Sequence, residues 1–352
     1  MSPISARQGS IFYPAARSAR GLVAVILLSV QLFTFCLIQP ASADSESEYA
    51  GLEFFGSSLM TRTELEKLLH LKVGSRASSV EKAVGRLKTK LKERRLFFNV
   101  ETVYELGGKV FVSVDLINPS DDSVPYRPLK NPHPVRVSSV KPEELLTRLR
   151  ARLEQLDSEG RQWSETCPSG VRMFSDEPAN LIVKEIRRFG PVLRADWLTV
   201  VESDPDPRKR EDAVELLNWA GSTSDTSARL IPALDDSDYH VRAAAARFLY
   251  ARLSILPGQF PYVPLLAATC RLIGRPSNQD RTTGLYLMSA LLAKLPSLTA
   301  QAAGSSAKKV AEISSRSIIP TVRQAARTLA DQYDNPPPPP RDSGAEAPTA
   351  GF

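Results

Sequence analysis

Four times in the second half of the chain an arginine is followed at fixed spacings by a small residue and then by two adjacent, mostly apolar residues. The set is Arg210/Ala213/Leu216/Leu217, Arg242/Ala245/Phe248/Leu249, Arg281/Gly284/Leu287/Met288 and Arg323/Ala326/Leu329/Ala330. Successive arginines lie 32, 39 and 42 residues apart, the period of a helical-hairpin repeat. Residues 179–334 are therefore expected to form an all-α solenoid, in which each arginine-bearing helix is preceded by a partner helix. The small residues fall where the paired helices must approach closely.

The first 43 residues have a different character. Arg7, Arg17 and Arg20 precede an apolar run at residues 21–38, and Ala41-Ser42-Ala43 supplies small residues of the kind a signal peptidase reads. This predicts an export signal at residues 1–43 and a periplasmic or otherwise extracytoplasmic location. The run is longer than a usual signal core, so a single-pass inner-membrane anchor is the alternative. Cys36 follows Phe35 rather than a small residue and does not fit a lipoprotein site. Removing residues 1–43 lowers the formal net charge from +6 to +3, too little to imply nucleic acid. Cys167 and Cys270 remain. They either form a disulfide in an oxidising compartment, or Cys270 is a small hydrophobe on the face shared by Val263, Leu266 and Ile273.

Residues 48–118 read as an α+β module of order β-α-α-β-β. A short strand ends at Gly56; Thr61 and Glu64 make a capping box for a helix carrying Leu65, Leu68 and Leu69. Ser78 and Glu81 suggest a second box, opening a helix with Val80, Val84, Leu87 and Leu91 inside and Arg86, Lys88, Lys90, Lys92, Arg94 and Arg95 outside. Phe98, Val100, Tyr104 and Leu106 then alternate with Asn99, Glu101 and Glu105. Gly107-Gly108 turns the chain, and Val110, Val112, Val114 and Leu116 mark the return strand.

This order, with Phe54-Phe55-Gly56, the Glu64-Leu65 helix start, Val73-Gly74 between the helices and the hairpin at residues 98–117, resembles the polypeptide-transport-associated (POTRA) domain of bacterial envelope proteins. The resemblance implies that one hairpin strand lies at the sheet edge and accepts extended segments of partner proteins by strand addition. Here that strand is residues 97–106, with Phe97, Asn99, Glu101, Val103 and Glu105 as partner-binding candidates. The plain alternative is a strand that only completes a small core. Nothing after Asn118 has the alternating segments of a transmembrane barrel, so a pore is not expected.

Residues 119–178 are expected to be a proline-rich linker with one amphipathic helix, at about 143–156, whose leucine stripe needs a partner and suits a cap on the solenoid. Residues 157–178 have no clear period. The repeats resemble HEAT-type units, including the short variant found beside phycobilisome lyases, on Asp206-Pro-Arg-Lys-Arg210 and Asp238-Tyr-His-Val-Arg242. That resemblance implies a structural ladder made by Asp206, Arg210, Asp238, Arg242, Arg281 and Arg323. Ser277 and Ile319 stand where the aspartate is expected in the last two units, which would leave Arg281 and Arg323 open to a ligand. Residues 335–352 read as a disordered proline-rich tail.

No metalloprotease, serine-hydrolase or phosphate-loop motif occurs. His240 beside Asp235, Asp236 and Asp238 reads as a capped helix turn in preference to a metal site. The expectation is a non-enzymatic exported adaptor without cofactor or metal, with protein partners in the cell envelope. An inner-membrane-anchored regulatory subunit and, behind it, an envelope hydrolase are the alternatives.

Overall fold

The structure, a computed structural model, describes residues 47–56, 59–105, 107–117, 126–221 and 224–335. The expected signal at residues 1–43 and the tail after residue 335 lie outside the described residues. The protein is mixed α+β and mostly helical.

The first part contains β1 (Glu48–Gly56), α1 (Arg62–Leu69), α2 (Ala77–Glu93), β2 (Phe97–Glu105) and β3 (Lys109–Ile117). Thr61 and Glu64 form the capping box at α1. At α2 the N-cap is Arg76, with no side-chain cap, so Ser78 and Glu81 do not form the second box. The sheet order is β1-β3-β2, with β3 central, parallel to β1 and antiparallel to β2. Gly107 and Gly108 both take positive φ, as the tight hairpin requires. Val110, Val112, Val114 and Leu116 of β3 pack with Leu65, Leu69, Val80, Leu87 and Leu91 of the two helices. The opposite face of β3, with Phe111, Ser113 and Asp115, is buried as well.

That second face rests on the helical array. The array is built from α4 (Glu177–Ser203) with α5 (Pro207–Leu217), α6 (Ser224–Leu230) with α7 (Tyr239–Arg252), α8 (Tyr262–Ile273) with α9 (Asn278–Lys294), and α10 (Thr299–Ala303) and α11 (Ser306–Ser314) with α12 (Pro320–Asp334). Two partner elements are short or interrupted. A 3-10 turn at Ile231–Asp235 follows α6, and Ser305 caps α11 after a break at Gly304. The arginine-bearing helices α5, α7, α9 and α12 stack one on the next. Their small residues are buried at the contacts. At Gly284 a Cβ would come 2.7 Å from Ile273 Cγ1 and 3.1 Å from the Ile273 nitrogen.

Between sheet and array the chain is an extended strap over residues 126–140. Arg127 N donates to Asp235 O, Lys130 N to Glu202 O, His133 N to Ser203 O and Val135 N to Asp204 Oδ2. Each bond satisfies a group at a helix end or turn of the array, so the proline-rich segment is docked rather than a free linker. It leads into α3 (Lys141–Ser158), whose Leu145, Leu146 and Leu149 join the core of the array and cover its first end. Residues 157–178 hold a short hairpin of β4 (Glu165–Thr166) and β5 (Met173–Phe174) around a 3-10 turn at Pro168–Gly170. Phe174 belongs to the same core.

Ala245 is fully buried in α7. Ala245→Leu is expected to overpack that contact at a cost of about 1–3 kcal/mol, measured by denaturant titration of the full chain.

Candidate functional site

The arginine row binds a different set of aspartates from the one its spacing suggested. Arg210 meets Asp236 through Nε at 3.0 Å and Nη2 at 2.7 Å, and Arg242 meets Asp280 at 2.9 and 2.5 Å. Each arginine also donates to a carbonyl of its own turn, Arg210 to Asp204 O and Arg242 to Asp236 O. A planar guanidinium thus ties its own turn to the following unit with both edges used. Asp206 and Asp238 take no part in these pairs. They are N-caps, accepting from Arg208 N and His240 N respectively, each at 2.9 Å.

The aspartates that precede their unit's arginine by six positions are Asp204 and Asp236. In the third and fourth units that position holds Arg275 and Ser317. Arg281 therefore has no aspartate in the turn of the next unit, and the sheet supplies one: Nη1 of Arg281 reaches Asp115 of β3 at 2.8 Å, with both side chains 2% exposed. The Phe55 ring lies 3.9 Å from the same guanidinium carbon. Arg281 is buried and paired, not open to a ligand. Arg323 donates to Ser317 O at 2.8 Å.

The sheet also completes the helix ends at the two units that lack the capping aspartate. Glu101 of β2 accepts from Ser277 Oγ at 2.9 Å and from Gln279 N at 3.1 Å. Gln279 is the second residue of α9, the position whose N–H is capped by Asp206 and Asp238 in the first two units. Glu105 accepts from the corresponding Thr321 N of α12 at 3.3 Å and from the Thr321 hydroxyl, and Glu53 accepts from Ile318 N at 3.1 Å. Three carboxylates from one sheet face thus sit at two helix N-termini, where orphan N–H groups and the helix dipole both favour negative charge. Phe111, Val103, Ile319 and Val322 fill the space between them.

This geometry divides the residues proposed for strand addition. β2 is an edge strand, paired to β3 alone in the sheet. Glu101, Val103 and Glu105 turn inward onto the array, and Asn99 donates to Glu101. Phe97 is 62% exposed at the start of the strand. Beyond the sheet, the strap continues the cover: Tyr126 lies over Arg242 and Arg275, and Arg127 pairs with Asp236 at 2.8 Å. Alternation in the sequence reads polar residues such as Glu101 and Asp115 as solvent-facing. The missing capping aspartates at Ser277 and Ile319, and Ser317 where Arg281 would find its aspartate, are the signals that a second element must serve the last units.

The two described cysteines are free. Cys270 faces Ser305 Oγ at 3.4 Å, whereas Cys167 precedes the 3-10 turn beside Glu165 and Arg172. Each thiol sits among its own neighbours, so of the two alternatives the bridge is not formed. Burial pushes the Cys167 thiol up to about 12, which keeps it protonated. Asp235 is held by Arg271 and Arg275, and Asp236 by Arg210 and Arg127. Among the described residues no group of three or more His, Cys, Asp or Glu side chains is placed to hold a metal ion. No described helix is long and apolar enough to cross a membrane.

Neither a family model, a curated protein nor a solved structure matches this chain.

Two consequences are measurable. Arg281→Ala leaves Asp115 buried without its cation and is expected to cost about 3–5 kcal/mol, against roughly 1 kcal/mol for Arg323→Ala, which loses a carbonyl contact. Denaturant titration of the full-length variants gives the order. Burial, and behind it the Asp115 carboxylate, outweigh the hydrogen bonds from Ser277 and Asn99 and hold Glu101 above its ordinary value of 4.5. The folded state then keeps this proton over a pH range in which the unfolded chain has lost it, so stability falls as pH rises from about 4.5 through the raised value and is level above it. Glu101→Gln is expected to flatten that slope, read from denaturant midpoints between pH 4 and 8, about the range in which carboxyl shifts act.

Proposed function

We propose that this protein is an adaptor of the cell envelope, in which the α+β part, POTRA-like in its strand and helix order, takes an extended segment of a partner protein along β2. The helical array, HEAT-like in its paired helices and arginine row, holds that part rigidly and meets a second protein away from its covered row. The observation that carries this reading is the position of β2. It is a nine-residue edge strand with one hydrogen-bonded neighbour. An exposed edge of that length is a template for pairing unless something covers it.

The inward turn of Glu101, Val103 and Glu105 changes how a partner is read. Those side chains anchor the strand to the array, so recognition falls to the strand's backbone, to Phe97, and to the helix-side residues Thr102 and Tyr104. Export through residues 1–43 would place the reaction partners outside the cytoplasm. A second reading, a regulatory subunit held in the inner membrane by the apolar run at residues 21–38, keeps the same strand chemistry and differs in the anchor alone. No cofactor or catalytic group enters either reading.

Photocross-linking residues placed one at a time at Thr102 and Tyr104 of the full chain test the strand. Addition of a segment is expected to give cross-links to a single stretch of one partner, with the two attachment points two residues apart. Cross-links scattered over unrelated segments, or confined to the protein's own array, would remove strand addition from the proposal. Mass measurement of the exported protein separates the two readings: loss of residues 1–43 supports the soluble adaptor, and their retention supports the anchored subunit.

A further inference from the structure

The sheet's acids point into the array, and the opposite side of the same small unit is as one-sided in the other sign. Residues 62–95, which carry α1 and α2, contain eleven lysines and arginines against four glutamates. That is a net +7 within a chain whose total is +6, so the rest of the chain sums to −1. All eleven basic residues are exposed. The four glutamates are engaged locally: Glu66 with Arg62, Glu93 with Lys90, Glu64 in the Thr61 cap and Glu81 with the Tyr104 hydroxyl. The layer holds no phenylalanine, tyrosine or tryptophan on which a nucleic-acid base would stack.

The position of this layer relative to the chain's entry is specific. Ala77 N donates to Ser47 O, Tyr49 N to Ser75 O and Gly74 N to Tyr49 O, so the segment leading into β1 is stitched to the turn between α1 and α2. That turn carries Lys72 and Arg76 on either side of Val73, which is 76% exposed. Nine residues separate the end of the apolar run at Ile38 from Glu48, a span of at most roughly 30 Å. On the anchored reading, in which residues 21–38 stay in a bilayer, the basic layer is held beside its surface, entry end first, and the inference rests on that reading.

We propose that the α1–α2 layer lies on an anionic phospholipid surface, with Lys72, Arg76, Lys88, Lys92 and Arg95 facing the headgroups and Val73 entering the interface. A polybasic face next to a membrane-inserting segment gains from anionic lipid by a factor of about five for each cation near the surface. The gain is confined to within a Debye length, ~10 Å at 0.1 M salt. This orientation turns the helices to the lipid and carries β2 and the array on the side away from it.

The test uses the full chain reconstituted in two vesicle types, pure phosphatidylcholine and phosphatidylcholine with about one third phosphatidylglycerol, so that the apolar run inserts alike and only surface charge differs. Rates of lysine acetylation are read residue by residue by mass spectrometry. Lys72, Lys88 and Lys92 are expected to react about fivefold more slowly on the anionic vesicles, with the difference removed near 1 M salt, where the screening length is ~3 Å. Lys130, Lys184 and Lys309, on the array and strap, serve as controls and are expected to react equally in both. Equal rates at Lys72, Lys88 and Lys92 in the two vesicle types would overturn the proposal. Protection conferred equally by soluble RNA in the uncharged vesicles would overturn it in favour of a nucleic acid.

Discussion

The contact between Asp115 and Arg281 holds the two parts of this protein in one arrangement. A guanidinium and a carboxylate that are each 2% exposed are costly unless they meet, because neither can recover its hydration. The geometry in which they meet also sets the sheet over the ends of α9 and α12, with Glu101, Glu105 and Glu53 at backbone N–H groups that the array leaves unserved. The apolar part of this interface is small, centred on Phe111, Ile319 and Val322. Its specificity therefore lies in charge and hydrogen bonding, and its register is set by where the array's own capping series fails.

Along its length the array uses one device with two sources. In the first two units the aspartates come from the array: Asp236 and Asp280 for the arginines, Asp206 and Asp238 for the helix ends. In the last two the carboxylates come from β1, β2 and β3. The strap between sheet and array continues the line, with Arg127 on Asp236 and Val135 N on Asp204. Sheet and strap together cover the row of helix N-termini, so an array partner has to approach from another side.

Much of the fold was legible in local pattern. The order of strands and helices in the first part, the leucine stripe of α3 and the arginine period of the array all follow from apolar spacing and caps, which are local signals. What escaped was non-local. Asp115 alternates with Val114 and Leu116 as a solvent-facing residue would, and its partner lies 166 residues further on. The aspartates four positions before Arg210 and Arg242 drew attention because capping and pairing use the same residue type. The pairing aspartates follow no single offset: Asp236 lies six positions before the next unit's arginine and Asp280 one position before it. Residues 157–178 were unreadable because strands of two residues carry no period.

The strand and the helix ends it serves are far apart in the order of synthesis. Glu101 meets residues 176 and 178 positions later, and Glu53 one 265 positions later. The array is built from contacts between neighbours and can assemble by local steps, whereas the sheet's docking closes very long loops. On a growing chain the sheet emerges first. Its acidic face then waits through the synthesis of nearly the whole array with Phe111 and Val103 uncovered. During that interval the apolar face lies open beside the edge strand, which makes the nascent chain the form most exposed to premature association, and docking of the last unit covers that face while the strand edge stays open.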